Sequence, residues 1–312
     1  MNWRFIAVKV FRALVTMWLV VTFSFLILRL SGDPITALVG DQADPGIEAF
    51  YRAKFGLDRP VWVQYLAFFG NVFKGDLGVS FADEEPALQV FLNALPRTLQ
   101  LGLTAFVLTL VIGLPLGVIA ALHRNKPIDR FVMTFAVFGF SIPNFFLGIL
   151  LILLFSLQLR ILPSSGAGGL EYMIMPAITL GTAGSGTIAR FARSSMLEVL
   201  NQSYMRTASA KGVPRGRRIR WHALPNAAIP VVTVVGFQLG HLVAGSIVTE
   251  TVFAWPGVGR LLVTSVTSRD LAVVQTVLLM VGLTMTLANL LVDIAYGWID
   301  PRIRASSASE RE

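Results

Sequence analysis

The sequence predicts an all-α integral membrane protein with six transmembrane helices, both termini cytoplasmic, and a small helical extracytoplasmic insert between helices 1 and 2. Three observations carry that prediction. Of the 312 residues 54% are hydrophobic and 14% charged, with a mean hydropathy of +0.68, which excludes a disordered chain and an ordinary soluble domain. Apolar stretches recur at 10–29, 98–121, 131–157, 172–190, 226–249 and 271–297, each near or above the length that about 30 Å of hydrocarbon demands. The basic residues also lie to one side. With the N-terminus inside, 17 of the 26 Lys and Arg fall in inside segments, and 12 of the 18 acids fall outside.

The net charge of +8, which in a soluble protein would suggest nucleic acid, is what cytoplasmic loops of a membrane protein carry; no nucleic-acid partner is expected. With no Cys, disulfides, thiolate metal sites and cysteine nucleophiles are excluded together.

The first stretch has a basic flank (Arg4, Lys9, Arg12) like a signal peptide, but its apolar core outruns the usual 7–15 residues and it reads as a retained signal-anchor helix. Residues 1–30 thus form the N-terminus and helix 1. The extracytoplasmic insert, 31–97, carries helix signals: Asp44-Pro45 is an N-cap followed by proline, and Pro60 opens a second helix that stops at Lys74-Gly75. In that second helix Trp62, Tyr65, Leu66, Phe69 and Phe73 recur at helical spacing. Spacing alone leaves two readings open, an amphipathic helix on the outer membrane interface and a docking ledge for an external partner.

Helices 2–6 occupy 98–300, with a long inside loop at 191–225, and 301–312 form a cytoplasmic tail. The stripe Gly113-x3-Gly117 in helix 2 and Gly236-x3-Gly240-x3-Ala244 in helix 5 read as close helix-packing faces. Pro143 loosens helix 3 beside Asn144. Helix 4 is polar for a lipid-facing span, with Gly181, Thr182, Gly184, Ser185 and Gly186, and suits the inside of a bundle. In helix 5, Gln238 and His241 share a face. Asn144, Gln238 and His241 are equally consistent with a polar path and with interior packing. Asp293, with Asn289 on the same face, is the acid deep in a span, and a helix-to-helix hydrogen bond is its plainer role. FAWPGVG at 253–259 reads as a turn-rich outer connection with a Trp at the interface.

Within the inside loop, Ser203 to Lys211 forms a short helix of small residues, ended by Gly212 and by Pro214 beyond it. Such a helix is marginal alone in water and needs something to pack against. Docking into a groove on another protein, and a loop that holds positive charge against lipid phosphates through Arg215, Arg217, Arg218 and Arg220, are both consistent with the residues.

No G-x-x-x-x-G-K-[ST] occurs, so the chain itself is not expected to bind ATP, and it needs no cofactor of its own. Three His without H-E-x-x-H or Cys argue against a metal site, and no nucleophile and base are spaced for catalysis.

The run Tyr204-Met205-Arg206-Thr207-Ala208-Ser209-Ala210-Lys211-Gly212, followed by His222-Ala223-Leu224-Pro225-Asn226-Ala227, resembles the EAA loop of membrane subunits of bacterial ABC importers, whose general pattern is E-A-A-x3-G-x9-I-x-L-P. Aligned on Gly212, Arg206 stands at the glutamate position, Thr207 and Ala208 at the alanines, and His222-Ala223-Leu224-Pro225 at the closing I-x-L-P. The departures at Arg206, Thr207 and His222 are those of the dipeptide/oligopeptide-type branch. The likeness extends over almost the whole chain, through GLDRPVWVQYLAFFGNVFKGDLGVSF, PRTLQLGL, IGLPLGVIAAL, SIPNFFLGILLILLF, ETVFAWPGVGRLLVTSVTSRDLAVVQ and LLVDIAYGWIDPRIR. The chain is therefore similar to the first, B-type, permease subunit of dipeptide/oligopeptide-type ABC transporters.

That resemblance implies a multi-pass subunit of the bacterial inner membrane. It pairs with a second, homologous permease around a translocation path, is driven by two cytoplasmic ATPase subunits that bind the ATP, and receives substrate from an extracytoplasmic solute-binding protein. Residues Tyr204 through Gly212 become the coupling helix that contacts the ATPase, with His222, Leu224 and Pro225 at the loop end, and the outer insert becomes a ledge near the binding protein. Peptides are the implied cargo; nickel, glutathione or oligosaccharides are alternatives on the same architecture. A stand-alone secondary transporter would want several intramembrane ionisable groups and inverted repeats, which are not evident.

Overall fold

The computed structural model describes residues 3–30, 35, 44–54, 56–240 and 246–299; the side chains of 3–6, 9, 24, 27–30, 54, 240 and 289–299 lie outside that description. The chain divides into two compact units, Met1–Thr98 with Pro256–Thr286, and Leu99–Trp255 with Leu287–Glu312.

The first unit opens with α1 (Trp3–Leu30), α2 (Pro45–Lys54) and α3 (Val61–Phe73). Asp44 caps α2 as its sequence predicts: its Oδ1 accepts the Gly46 N–H at 2.7 Å, one bond beyond the proline that needs none. At the far end of α3, Gly75 (φ +78) donates to the Val72 carbonyl and Asp76 to that of Asn71, the paired bonds of a Schellman cap. The helix docks on α1 through one side only. Tyr65 shares a 2.7 Å hydrogen bond with Thr22 and stands edge-on to Phe25 at 5.4 Å. Trp62, Leu66 and Phe73 of the predicted apolar face are left uncovered.

The remainder of this unit is the start of α4 (Ala87–Leu122), then α12 (Val258–Thr267) and α13 (Leu271–Ile299). Ala87, Phe91, Val258, Val273 and Val277 form its buried core. Asp270 ties the insert to this core. Its carboxylate accepts the Ser80 hydroxyl at 2.6 Å and the Phe81 N–H at 2.9 Å, and its other oxygen caps α13 by accepting the Val273 N–H. Asp270 and Glu250 are both buried.

The second unit is built on α7 (Glu171–Leu200). Around it lie the remainder of α4, then α5 (Pro127–Ser141), α6 (Asn144–Leu151, continued as a π-helical turn over Ile152–Gln158), and one continuous helix made of α9 (Arg215–Arg218), a π-helical turn Ile219–Ala223 and α10 (Leu224–Gly240). The short helices α8 (Ser203–Ala210) and α11 (Ile247–Val252) complete it. The polar character of α7 is explained by its position. Gly181, Ser185, Gly186, Ile188, Ala189 and Ala192 are buried against neighbouring helices. Two of its buried hydroxyls bond back to carbonyls of the same helix, Thr179 to Met175 at 2.8 Å and Ser185 to Gly181 at 2.6 Å, so these two are paired at depth. The Gly113/Gly117 stripe is a packing face: a Cβ on Gly117 would lie 2.5 Å from the Ala189 carbonyl oxygen.

Among the described residues three helices are long and apolar enough to cross a membrane: α4, Arg215–Leu239, and Leu271–Ala288 within α13. The α5–α6 pair makes a fourth if the two count as one span. The single third span expected at 131–157 is instead broken by 101°. Ile142 and Pro143 are both extended (ψ 122° and 136°); proline disfavours the helical region for the residue before it and donates no N–H of its own, so the chain breaks readily here. The fourth span also outruns its expected end at 190, with helix continuing to Leu200, and the fifth helix starts at Arg215 rather than 226. Trp255, expected at the membrane interface, is fully buried with Leu101 and Ala177. A turn through Ala254 (φ +48) drives it inward, and Gly148 leaves room for Phe253 beside it.

Candidate functional site

The segment between α7 and α9 is where the sequence concentrates its motif, and α8 forms there as expected. Gln202 at its N-terminus is extended and makes no side-chain cap. Its C-terminus is firmly closed: Gly212 (φ +74) donates to the Ser209 carbonyl at 3.0 Å and Val213 to that of Ala208 at 3.1 Å. Nothing lies within 4 Å of a Cβ built on Gly212, so backbone conformation rather than space calls for glycine.

What α8 packs against is its own chain. Met205 is its buried residue and joins Ala121, Met196, Ala223 and Ala227 in one apolar cluster. The rest of the helix faces outward: Tyr204, Arg206, Thr207 and Ala210 are exposed, as are Lys211 and Gly212, with Ala208 half-buried. The outcome is a small, positively charged projection anchored by Met205, with most of its other residues exposed.

His222, Leu224 and Pro225, read as the loop end, lie inside the continuous helix that begins at Arg215. The reason is the π-helical turn. The Leu224 N–H reaches the Ile219 carbonyl five residues back, and the widened turn accommodates Pro225, which has no N–H to place. All three are exposed. The adjoining Ser195 hydroxyl of α7 binds the Ala227 carbonyl at 2.8 Å, locking α10 to α7.

The candidate path residues are distributed. Asn144 is half-buried at the start of α6, beside the break. Gln238, half-buried in α10, points its side-chain oxygen toward Gly184 of α7, where a Cβ would sit 3.3 Å from it and 2.5 Å from the Thr109 hydroxyl. Thr109 itself bonds the Gly181 carbonyl at 3.2 Å. Gln238, Thr109 and the glycine face of α7 therefore form one polar seam free of formal charge. His241 lies outside the described residues, and Asn289 and Asp293 are on α13 with side chains outside the description.

An ion pair that the sequence reading passed over anchors the same end of the second unit. Arg193 of α7 donates to Asp129 of α5 twice, Nε to Oδ1 at 2.6 Å and Nη2 to Oδ2 at 2.7 Å, and Asn125 adds its N–H to Oδ2. The available signal was an acid isolated among the basic residues Arg124, Lys126 and Arg130, where the charge pattern alone would exclude one. No group of His, Cys, Asp and Glu suited to a metal ion occurs among the described residues.

Residues 113–305 match the family model of the binding-protein-dependent transport system inner membrane component, and residues 2–102 match the model of its N-terminal region. Similar curated proteins include the glutathione transport system permease protein GsiC of Escherichia coli O6:H1 and that of Salmonella paratyphi A, each 43% identical over 290 residues, 93% of this chain and 95% of the relative. The fold is similar to a chain of the inward-facing MetNI methionine ABC transporter (TM-score 0.60, 22% identity, 69% of this chain and 99% of that one). It is also similar to a chain of an amino acid ABC transporter crystallised with histidines (TM-score 0.53, 17% identity, 66% and 92%).

Proposed function

The chain belongs to the family of binding-protein-dependent transport system inner membrane components, multi-pass permease subunits of ABC importers in the bacterial inner membrane, and we propose that its cargo is a short peptide. The observation that carries the cargo is the 43% identity, over nearly the whole length of both chains, to permeases named for glutathione, itself a tripeptide. Glutathione is accordingly the first peptide to test.

In this reading the chain pairs with a second homologous permease, and the path between them is lined from this side by Asn144 and by the seam of Gln238 and Thr109. Six crossings are assigned to α1, α4, the broken α5–α6 pair, α7, the α9–α10 helix and α13. The excess of Lys and Arg in the segments joined to α8 supports a cytoplasmic position for that helix and both termini. Two ATPase subunits bind the ATP there, and α8, from Tyr204 to Gly212, enters a cleft on one of them as a coupling helix. Its small residues permit close backbone approach, and Lys211 meets acidic surface. Closure of the ATPase pair then moves α8, and Met205 passes the displacement to the ends of α4, α7 and α10. On the other face the insert, with Trp62, Leu66 and Phe73 uncovered, receives the solute-binding protein.

Affinity purification of the tagged chain in mild detergent, followed by reconstitution and uptake of labelled glutathione and di- and tripeptides, tests this. Recovery of a second permease and P-loop ATPases with ATP-dependent peptide uptake is expected. A lone or self-paired species that transports without ATPases would sink the reading, and an intact complex that ignores every peptide would sink the cargo.

A further inference from the structure

We propose that the cleft between α8 and α9 is a binding site for the phosphate headgroup of an anionic phospholipid. The cleft holds about 310 Å³, room for a phosphate ester rather than a single ion, and Arg206, Arg215 and Arg218 converge on it. No acidic residue lines it, and none of the three arginines is paired with a carboxylate among the described residues. Arg218 Nε is buried without any hydrogen-bond partner. An orphaned charged donor is costly, and three uncompensated guanidinium groups repel one another unless an anion joins them.

The other half of the lining is apolar and selects the kind of anion. Leu122 closes the membrane-crossing helix α4, Leu200 closes α7, and Ile219 begins the π-helical turn. The cleft thus lies where a membrane-crossing helix ends, against a hydrocarbon floor that suits the glycerol and first methylenes of a lipid and is wasted on free phosphate. Next to it Trp221 is 66% exposed, with the Arg220 guanidinium 5.8 Å from its ring centre, a pairing suited to the headgroup layer. The site does not depend on α8 acting as a coupling helix.

The test is native mass spectrometry of the delipidated full-length chain, titrated separately with phosphatidylglycerol, phosphatidylcholine and inorganic phosphate. One phosphatidylglycerol is expected to bind at least several-fold more tightly than phosphatidylcholine. The double variant Arg215→Gln/Arg218→Gln is expected to weaken it roughly tenfold or more, while Arg217→Gln/Arg220→Gln, with the same charge change outside the cleft, retains it. A monodisperse elution profile, and recovery of binding in Arg215→Lys/Arg218→Lys, separate loss of the site from loss of the fold. Equal weakening by both Gln pairs, or equal affinity for the two lipids, overturns the proposal. Inorganic phosphate bound as tightly as the lipid makes the ligand a free anion and overturns the lipid. Unchanged lipid binding with loss of co-purifying ATPase subunits assigns the arginines to acidic protein surface instead.

Discussion

Arg193 and Asp129 meet edge to edge, two parallel hydrogen bonds of 2.6 and 2.7 Å joining the end of α7 to the start of α5. The pair is lopsided in its exposure, the carboxylate side chain 5% accessible and the arginine 25%. Removing the arginine strands a buried anion, whereas neutralising the acid leaves a guanidinium that water can reach. Arg193→Ala is therefore expected to cost about 2–4 kcal/mol and Asp129→Asn about 1–2 kcal/mol. Thermal unfolding in detergent checks the order; a larger loss for Asp129→Asn would contradict it.

Glycines of the same chain should differ sharply in what they tolerate. Gly117→Ala places a Cβ 2.5 Å from the Ala189 carbonyl oxygen and pushes α4 off α7, at a cost of about 1–3 kcal/mol. Gly216→Ala, on exposed α9 with nothing within 4 Å, is expected to be neutral or to stabilise by up to about 1 kcal/mol. Melting temperatures of the two variants, measured side by side, decide this.

Gly212 is required for its backbone. Gly212→Asn keeps access to the left-handed region and should leave transport near normal, while Gly212→Val, strained by about 1–2 kcal/mol at φ +74, should disturb the end of α8. The expected phenotype of Gly212→Val, and of Gly212→Pro, is ATP hydrolysis without matching uptake in a chain that still inserts in the membrane. Uptake that tracks hydrolysis in all three variants would remove the coupling role.

Because the chain contains no Cys, one introduced thiol reports unambiguously. Asp76→Cys, exposed beyond α3, is expected to react with an impermeant maleimide on intact cells, and Arg215→Cys only after permeabilisation. The opposite pattern would invert the membrane orientation.

Features that depend on neighbours in sequence were legible before the structure. The Asp44-Pro45 cap, the Lys74-Gly75 stop and the helix at Ser203 follow from local chemistry, and each formed within a residue or so of its expected bounds. Features that depend on a distant partner were not. Nothing near Trp255 announces that it is buried with Leu101 and Ala177, and nothing near Asp129 announces Arg193. Hydropathy also misplaced helix ends, because α7 and α9 carry their helices into charged sequence that a lipid-based reading assigns to loop. Pro143 marked the right place, but a single proline does not say whether a helix bends slightly or turns by 101°.

The attachment of α8 has a mechanical meaning. Apart from its two chain connections, the helix is anchored chiefly by the buried Met205, a flexible thioether set among Ala121, Met196, Ala223 and Ala227. Such an attachment is a ball joint. Tilting α8 about it uncovers little further apolar surface, since apart from the half-buried Ala208 its other residues are already exposed. Under the coupling role proposed above, an ATPase subunit holding α8 could change its angle of grip without unseating the apolar cluster behind Met205.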